Sequence, residues 1–308
     1  MNKKHFSIFL FFIVFMLFQR ASAINSMNTG ASSSKICNNT SLPLFHTHSI
    51  IDVHKLSSEI NSASCEYPIC FSKVNSGLIY FVEYKNNKNA GGTRDFFFSK
   101  YDSIKSSWEK PINISGEYLK FCEENKTMKF KELYVTIDND IYLINLKNNE
   151  FSLQKLNINT KYIESSPCLS PDGNTLYFIS DRKGSYGGRD IYASEQLSDG
   201  KWSEPYNLGK EINSTADEES PFIMIDGVTL CYSSKGYNSY GGYDIYTSTM
   251  DTEGIWPKPE TLGSPVNSTS DDYHYITDSF GERAYYSSDK LDKGNQDIFY
   301  VNYKSAEK

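Results

Sequence analysis

The sequence predicts an all-β fold made of repeated four-stranded units, and three observations carry that prediction. Ser185-Tyr186-Gly187-Gly188-Arg189-Asp190-Ile191-Tyr192 returns, 54 residues later, as Ser239-Tyr240-Gly241-Gly242-Tyr243-Asp244-Ile245-Tyr246. Pro167, Trp202, Leu208-Gly209 and Asn213 move by the same 54, to Pro221, Trp256, Leu262-Gly263 and Asn267. A fixed period of this size marks an array of supersecondary units. Each unit is a series of short apolar or aromatic runs separated by turn residues, the pattern of strands. No 12-residue window has a helical period. Four strands in roughly 40 to 54 residues make one blade of a β-propeller.

The chain opens with Lys3 and Lys4, an apolar run from Phe6 to Phe18, and Ala21-Ser22-Ala23. That is the pattern of a secretory signal peptide, with cleavage expected after Ala23. The run is shorter than the roughly 20 residues a membrane span needs, and no later stretch is long enough. Ile24 rather than cysteine follows the cleavage point, so no lipoprotein anchor is expected. Residues 24–44 are rich in Ser and Asn and read as a flexible lead. Residues 45–308 remain for the propeller.

The two central units are the clearest. In the first of them Pro171-Asp172-Gly173-Asn174 is a turn, Leu176-Tyr177-Phe178-Ile179 a strand and Ile191-Tyr192-Ala193-Ser194 the next strand. Ser198-Asp199-Gly200 turns again into Lys201-Trp202. An earlier copy starts at Pro68, with Leu78-Ile79-Tyr80-Phe81, Gly91-Gly92-Thr93-Arg94-Asp95-Phe96-Phe97, Trp108 and Pro111. A worn copy runs from about Lys126 to Glu164 and keeps Asp140-Ile141-Tyr142 without the Gly-Gly or the Trp. A last copy begins near Asp271 and reaches Asp297-Ile298-Phe299. The count is five blades, with six as the alternative.

The last copy stops before any outer strand. Leu56-Ser57-Ser58-Glu59-Ile60-Asn61-Ser62 matches Leu208-Gly209-Lys210-Glu211-Ile212-Asn213-Ser214. Residues 48–56 are therefore expected to supply the missing strand and close the ring, which removes two sheet edges. Within the repeat, Gly187-Gly188 is expected at a turn that needs positive φ. The Asp carboxylate is expected to accept loop N–H groups, and Ile191 and Tyr192 to face opposite sides of the sheet.

Ser170-Pro171-Asp172-Gly173-x-x-Leu176-Tyr177-Phe178, with Gly-Gly-x-Asp-Ile-Tyr, Trp-x-x-Pro and Asn-Leu-Gly after it, resembles the TolB-type, WD40-like propeller repeat. The version it is similar to occurs in the cell envelope of Bacteroidetes, often fused to an OmpA-like domain that is absent here. The resemblance covers roughly residues 50 to 304. It implies a periplasmic propeller that binds or scaffolds envelope proteins rather than catalysing a reaction.

Composition narrows the partners. The formal net charge is −7, and removing residues 1–23 leaves −10. An acidic surface disfavours nucleic acid and anionic membranes. Six cysteines (37, 65, 70, 122, 168 and 231) in an exported chain permit disulfides in any of 15 pairings, or stand as buried thiols. Their spacing matches no zinc site, and no metal or cofactor is expected. His46, His48 and His54 share no evident carboxylate partner.

Residues repeated in every blade are read as structural: Asp95, Asp140, Asp190, Asp244 and Asp297 as turn residues, and Trp108, Trp202 and Trp256 as outer-strand packing. Acidic joints precede each inner strand, at Glu66, Glu123-Glu124, Glu164, Asp217-Glu218-Glu219 and Asp271-Asp272. Two readings of them stand: an electronegative rim that takes a cation or a basic segment, or carboxylate capping of the loops. Tyr273-His274-Tyr275 breaks the repeat on the same face. The candidate binding residues are thus Glu218, Asp271, Asp272, Tyr273 and His274, with exposed side chains expected for the acidic ones and no catalytic group assigned. A G-x-S-x-G elbow is absent. Four arginines follow the leader, Arg94, Arg182, Arg189 and Arg283, and two of them are repeat-equivalent, which argues against a sialidase. The alternative function is a glycan-binding or glycan-cleaving propeller, since paired carboxylates need no local motif.

Overall fold

A computed structural model of the chain describes residues 11–12, 50–72, 77–84, 93–102, 104–113, 132–147, 150–277 and 283–303. Every element among them is a β-strand, and the strands form five antiparallel sheets arranged as a five-bladed propeller. Blade 3 is β11 (Glu164–Leu169), β12 (Thr175–Ser180), β13 (Asp190–Glu195) and β14 (Tyr206–Asn207), from the axis outward. Blade 4 repeats it with β15 (Glu218–Ile223), β16 (Thr229–Ser234), β17 (Asp244–Thr249) and β18 (Glu260–Thr261). In blade 1, β3 (Cys65–Ser72), β4 (Gly77–Tyr84) and β5 (Thr93–Asp102) are followed by two short strands that both pair with β5, β6 (Ser107–Trp108) and β7 (Ile112–Asn113). The inner strands β3, β19, β15 and β11 contact one another in turn, and β11 contacts β8.

Blade 5 is stitched from both parts of the chain. β19 (Asp272–Thr277), β20 (Ala284–Ser288) and β21 (Asp297–Tyr303) are completed by β2 (Ile50–Lys55), with Val53 opposite Val301 and Lys55 opposite Phe299. The expected closure strand is therefore present. Asn61 finishes the seam: it accepts the Ile298 N–H at 2.7 Å and donates to the Ile298 carbonyl at 3.0 Å. Asn213, Asn267 and Asn159 do the same for Ile191, Ile245 and Ile141.

Blade 2 carries β8 (Glu132–Ile137), β9 (Asp140–Lys147) and β10 (Glu150–Lys155), with the two residues of β1 (Phe11–Phe12) on the inner side of β8. Phe11 and Phe12 belong to the stretch read above as a leader. Asp138 and Asn139, with φ of 50° and 66°, make a tight hairpin turn of the kind that favours Asn and Asp. This turn stands where blades 3 and 4 have the Gly-Gly loop. Glu123 and Glu124 lie outside the described residues.

The sheets are apolar on both faces because each is sandwiched between neighbours. In blade 3, Leu176, Phe178 and Tyr192 pack toward Tyr134 and Ile141 of blade 2. Tyr177, Ile179, Ile191 and Ala193 pack toward Ile223, Leu230 and Tyr232 of blade 4. This is the period-2 alternation of a strand read on two buried faces. The tryptophans serve the same joints: Trp202 meets Tyr134, Trp256 meets Tyr177 and Trp108 meets Tyr285, each edge-to-face and each one blade back.

One expectation is corrected. Gly187, Gly188, Gly241 and Gly242 do not have positive φ. Their role is close approach: a Cβ on Gly187 would lie 1.9 Å from the Ala216 carbonyl oxygen, and one on Gly241 2.2 Å from the Thr269 carbonyl carbon. The next blade's connecting segment runs directly over the loop. Cys65, Cys168 and Cys231 are buried free thiols, while Cys37, Cys122 and the side chain of Cys70 lie outside what is described.

Candidate functional site

One end of blades 3, 4 and 5 is set by strand pairing. Glu164 pairs with Ser180, and Ser180 with Asp190, so the three side chains cross the sheet in a row. Glu218, Ser234 and Asp244 repeat the row, as do Asp272, Ser288 and Asp297. At this end the loop before β13, β17 or β21 meets the segment that enters the next blade. The N–H of the acidic residue donates to that loop: Glu164 to Asn139 O, Glu218 to Arg189 O, Asp272 to Tyr243 O and Glu66 to Gln296 O, all at 2.7–2.8 Å.

The carboxylates of this row are not an exposed rim. Glu66, Glu164, Glu218 and Asp272 are wholly buried. A hydroxyl four residues upstream caps each one: Ser62, Thr160, Ser214 and Ser268. Ser180 and Ser234 add a second hydroxyl to Glu164 and Glu218. In blade 3 the Arg182 guanidinium completes the set at 3.1 Å from Glu164. Burial pushes Glu66 and Glu218 up to about 7 and Asp272 up to about 6, against the hydroxyl bonds that oppose the shift. The exposure expected of Glu218 and Asp272 is thus corrected, because the β-pairing of the inner strand begins at the acid itself. Asp271 is half-buried and accepts the Tyr243 N–H at 2.9 Å, as Asp217 accepts the Arg189 N–H at 3.0 Å. Asp217 and Asp271 thus tie one blade to the next through their side chains.

Beside this repeated frame lies a set of pairs that does not repeat. At two joints the residue before the loop Asp faces the residue that follows the buried acid of the next inner strand. The pairs are Arg189 with Glu219 and Tyr243 with Tyr273; the equivalent positions hold Asn139 and Ser165 between blades 2 and 3, and Gln296 and Tyr67 between blades 5 and 1. Arg189 forms an ion pair with Glu219, approaches Asp217 at 3.6 Å and donates to the Tyr243 hydroxyl at 3.3 Å. The Tyr243 and Tyr273 rings are 4.6 Å apart, and the Lys235 ammonium sits 4.2 Å over the Tyr243 ring. His274 continues the run, 6.0 Å from Tyr273 and 5.0 Å from Tyr67. Burial pushes Tyr243 and Tyr273 up, so both stay phenols. Burial also raises Glu219 against the attraction of Arg189.

His274 has φ of 53°, and Ser166 and Ser220 have 51° and 52° at the same step of β11 and β15. Each inner strand is bulged there, and bulges re-aim side chains next to sites. Tyr273 and His274 therefore lie side by side at this end, while Glu218 and Asp272 belong to the frame. Arg189, Tyr243 and Tyr67 were not among the candidate binding residues, and Glu219 entered only as part of an acidic joint. The signal for them was available: they are the variable neighbours of invariant repeat positions. On the same loops Tyr186 and Tyr240 are 52% and 55% exposed. No group of three or more His, Cys, Asp or Glu suited to a metal occurs among the described residues, and none of their helices is long and apolar enough to cross a membrane.

No family model and no curated protein matches the chain. Solved structures that are similar include an α-L-arabinofuranosidase from Lactobacillus brevis, at 11% identity and a TM-score of 0.45, covering 83% of this chain and 92% of that one. The Cps50 (Swd1) β-propeller domain of Myceliophteria thermophila matches at 9% identity and 0.41, covering 83% and 90%. A puromycin-hydrolyzing peptidase of Mycobacterium tuberculosis matches at 11% and 0.35, and this chain covers 41% of its length. At these identities the likeness concerns the fold alone.

Proposed function

We propose that the chain is an exported, non-enzymatic propeller of the TolB-like kind that binds a protein partner in the cell envelope, through the end of the ring that carries Tyr186, Arg189, Tyr240, Tyr243, Tyr273 and His274. The observation that carries this reading is the contrast at the joints. Four joints share the same backbone hydrogen bonds, yet the two residues beside each differ: Asn and Ser, Arg and Glu in an ion pair, Tyr and Tyr in ring contact, Gln and Tyr. Packing alone would keep the pairs alike. Tyrosine and arginine are the residues enriched where proteins meet, because they contribute large contact area with a polar handle. The leader pattern of residues 1–23 supports export.

The test is site-specific photocrosslinking in the native cell, with the crosslinker at Tyr240 and, as the control, at Ile255 on the opposite end of blade 4. A discrete protein adduct from position 240 alone supports the proposal. Adducts of equal yield from both positions, or none from 240, would sink it.

A further inference from the structure

A second site lies on the outer wall, at the seam between blade 5 and blade 1. A cleft of about 320 Å³ opens there. Its wall is a continuous aromatic run: Tyr101 to Trp108 at 5.5 Å, Trp108 to Tyr285 at 6.2 Å and Tyr285 to Tyr300 at 5.5 Å. Arg283 lies 5.9 Å over the Tyr101 ring and faces the same space. The hydroxyls of Ser57, Ser106 and Ser107 complete the lining.

The repeat shows what is added. Across the sheet, Tyr134 pairs with Leu143 in blade 2 and Tyr177 with Ala193 in blade 3, but Tyr285 pairs with Tyr300. The residue opposite the tryptophan on the third strand is Gln196 in blade 3 and Tyr101 here. Two residues before Tyr177 stands Thr175; two before Tyr285 stands Arg283. The Trp–Tyr contact itself is kept, and the further rings and the guanidinium come in addition to it.

We propose that this cleft binds a carboxylated sugar unit, a hexuronic acid residue of an oligosaccharide. Tyr300 and Tyr101 are half-buried and offer flat apolar faces to the C–H face of a sugar ring, while Trp108 and Tyr285 form the floor. The serine hydroxyls match ring hydroxyls, and Arg283 is the fork that recognises a carboxylate. Lys55 also borders the cleft but is held by Asp297 at 2.6 Å, and His54 pairs with Asp52 at 3.2 Å. Glu59, the acid at the rim, is exposed and turned to the Ser57 hydroxyl. The size suits one or two sugar rings, near the lower end of ligand pockets. This inference is independent of the protein-binding end.

The experiment is a titration followed by tryptophan fluorescence, with trigalacturonate, neutral galactotriose and benzoate as probes. Trigalacturonate is expected to give a saturable change, with the neutral trimer at least about tenfold weaker, the scale of one charge-assisted contact. Arg283→Gln should erase that preference. Tyr300→Ala, which installs the residue found at Ala193, should weaken both trimers at least about fivefold, and circular dichroism and Tm should show the fold retained. His274→Ser, at the other site, should change nothing. Equal binding of the two trimers, tighter binding of benzoate, no binding of either trimer at millimolar concentration, or acid binding unchanged in Arg283→Gln would each overturn the proposal.

Discussion

The joint between blades 3 and 4 and the joint between blades 5 and 1 solve one problem with different chain economies. At the first, Asn213 clamps Ile191 across 22 residues. At the second, Asn61 clamps Ile298 across 237. The hydrogen bonds are the same in kind and length. The filling is not: the first joint has Ala193 and a Gly-Gly loop, the second Tyr300, Arg283 and a cleft. A propeller thus separates what must repeat from what is free to differ. The repeated part is backbone satisfaction at one end of each blade; the side wall and the mouth are open to change.

The sharpest way to break the comparison is to remove the clamp at each joint. Asn61→Ala and Asn213→Ala each strand a buried Ile N–H and carbonyl, which costs on the order of 2–4 kcal/mol. Urea denaturation should place both in that range. The Asn61 variant should also aggregate, because its seam joins the start of the chain to the last blade and its opening frees the edge of β21. A silent Asn61→Ala beside a damaging Asn213→Ala would mean that the seam is held elsewhere.

Glycine gives the next largest effect and separates two reasons for conserving the same residue type within the repeat. Gly187→Ala meets the Ala216 carbonyl and should cost more than about 2 kcal/mol through forced backbone movement. Gly200→Ala has nothing within 4 Å and a φ of 80°, so it should cost about 1 kcal/mol from conformation alone. Equal losses in thermal melts would refute the close-approach explanation.

Much of this was legible in the sequence, and the misses have physical causes. The 54-residue shift gave the blades, and the match of Asn61-Ser62 to Asn213-Ser214 gave the seam, because the clamp depends on one residue type at one place. The Gly-Gly was legible as a signal but not as a reason, since φ and close approach select the same residue. Burial of Glu218 and Asp272 was readable only from their partners, Ser214 and Ser268 four residues before and Ser234 and Ser288 across the sheet. The cleft joins Tyr101 to Tyr300, and no local pattern can report such a pair.

Those buried acids set a pH dependence. Glu218 has its folded pKa raised from 4.5 to about 7, so the folded state holds its proton more tightly than the unfolded chain does. Its contribution is fully present below about pH 4.5, declines as the pH rises toward 7 and is lost above that. Glu218→Gln removes the titration while keeping an oxygen for Ser214 and Ser234. The variant should match the parent near pH 4.5 and exceed it at pH 8 by roughly 1–2 kcal/mol. A variant less stable than the parent at pH 8 would show that the ionised carboxylate is favourable there.

The smallest expected change in stability tests the free half of the comparison. His274 occupies the bulge step that Ser166 and Ser220 occupy in blades 3 and 4, with φ within two degrees of both. His274→Ser therefore gives blade 5 the residue that the other two blades already use at that backbone angle. The bulge and the Asp272 row do not depend on the imidazole: Asp272 is held by Ser268, and its N–H by the Tyr243 carbonyl. The change removes the ring contacts with Tyr67 and Tyr273. Such contacts are worth on the order of 0.5–1 kcal/mol, which is a Tm shift of a few degrees at most. If the mouth is the protein-binding end, crosslinking from position 240 should fall severalfold in this variant while the melt barely moves. A Tm loss as large as that of Gly187→Ala, or full crosslinking with an unchanged Tm, would return His274 to the packing frame and leave the mouth without its most distinctive residue.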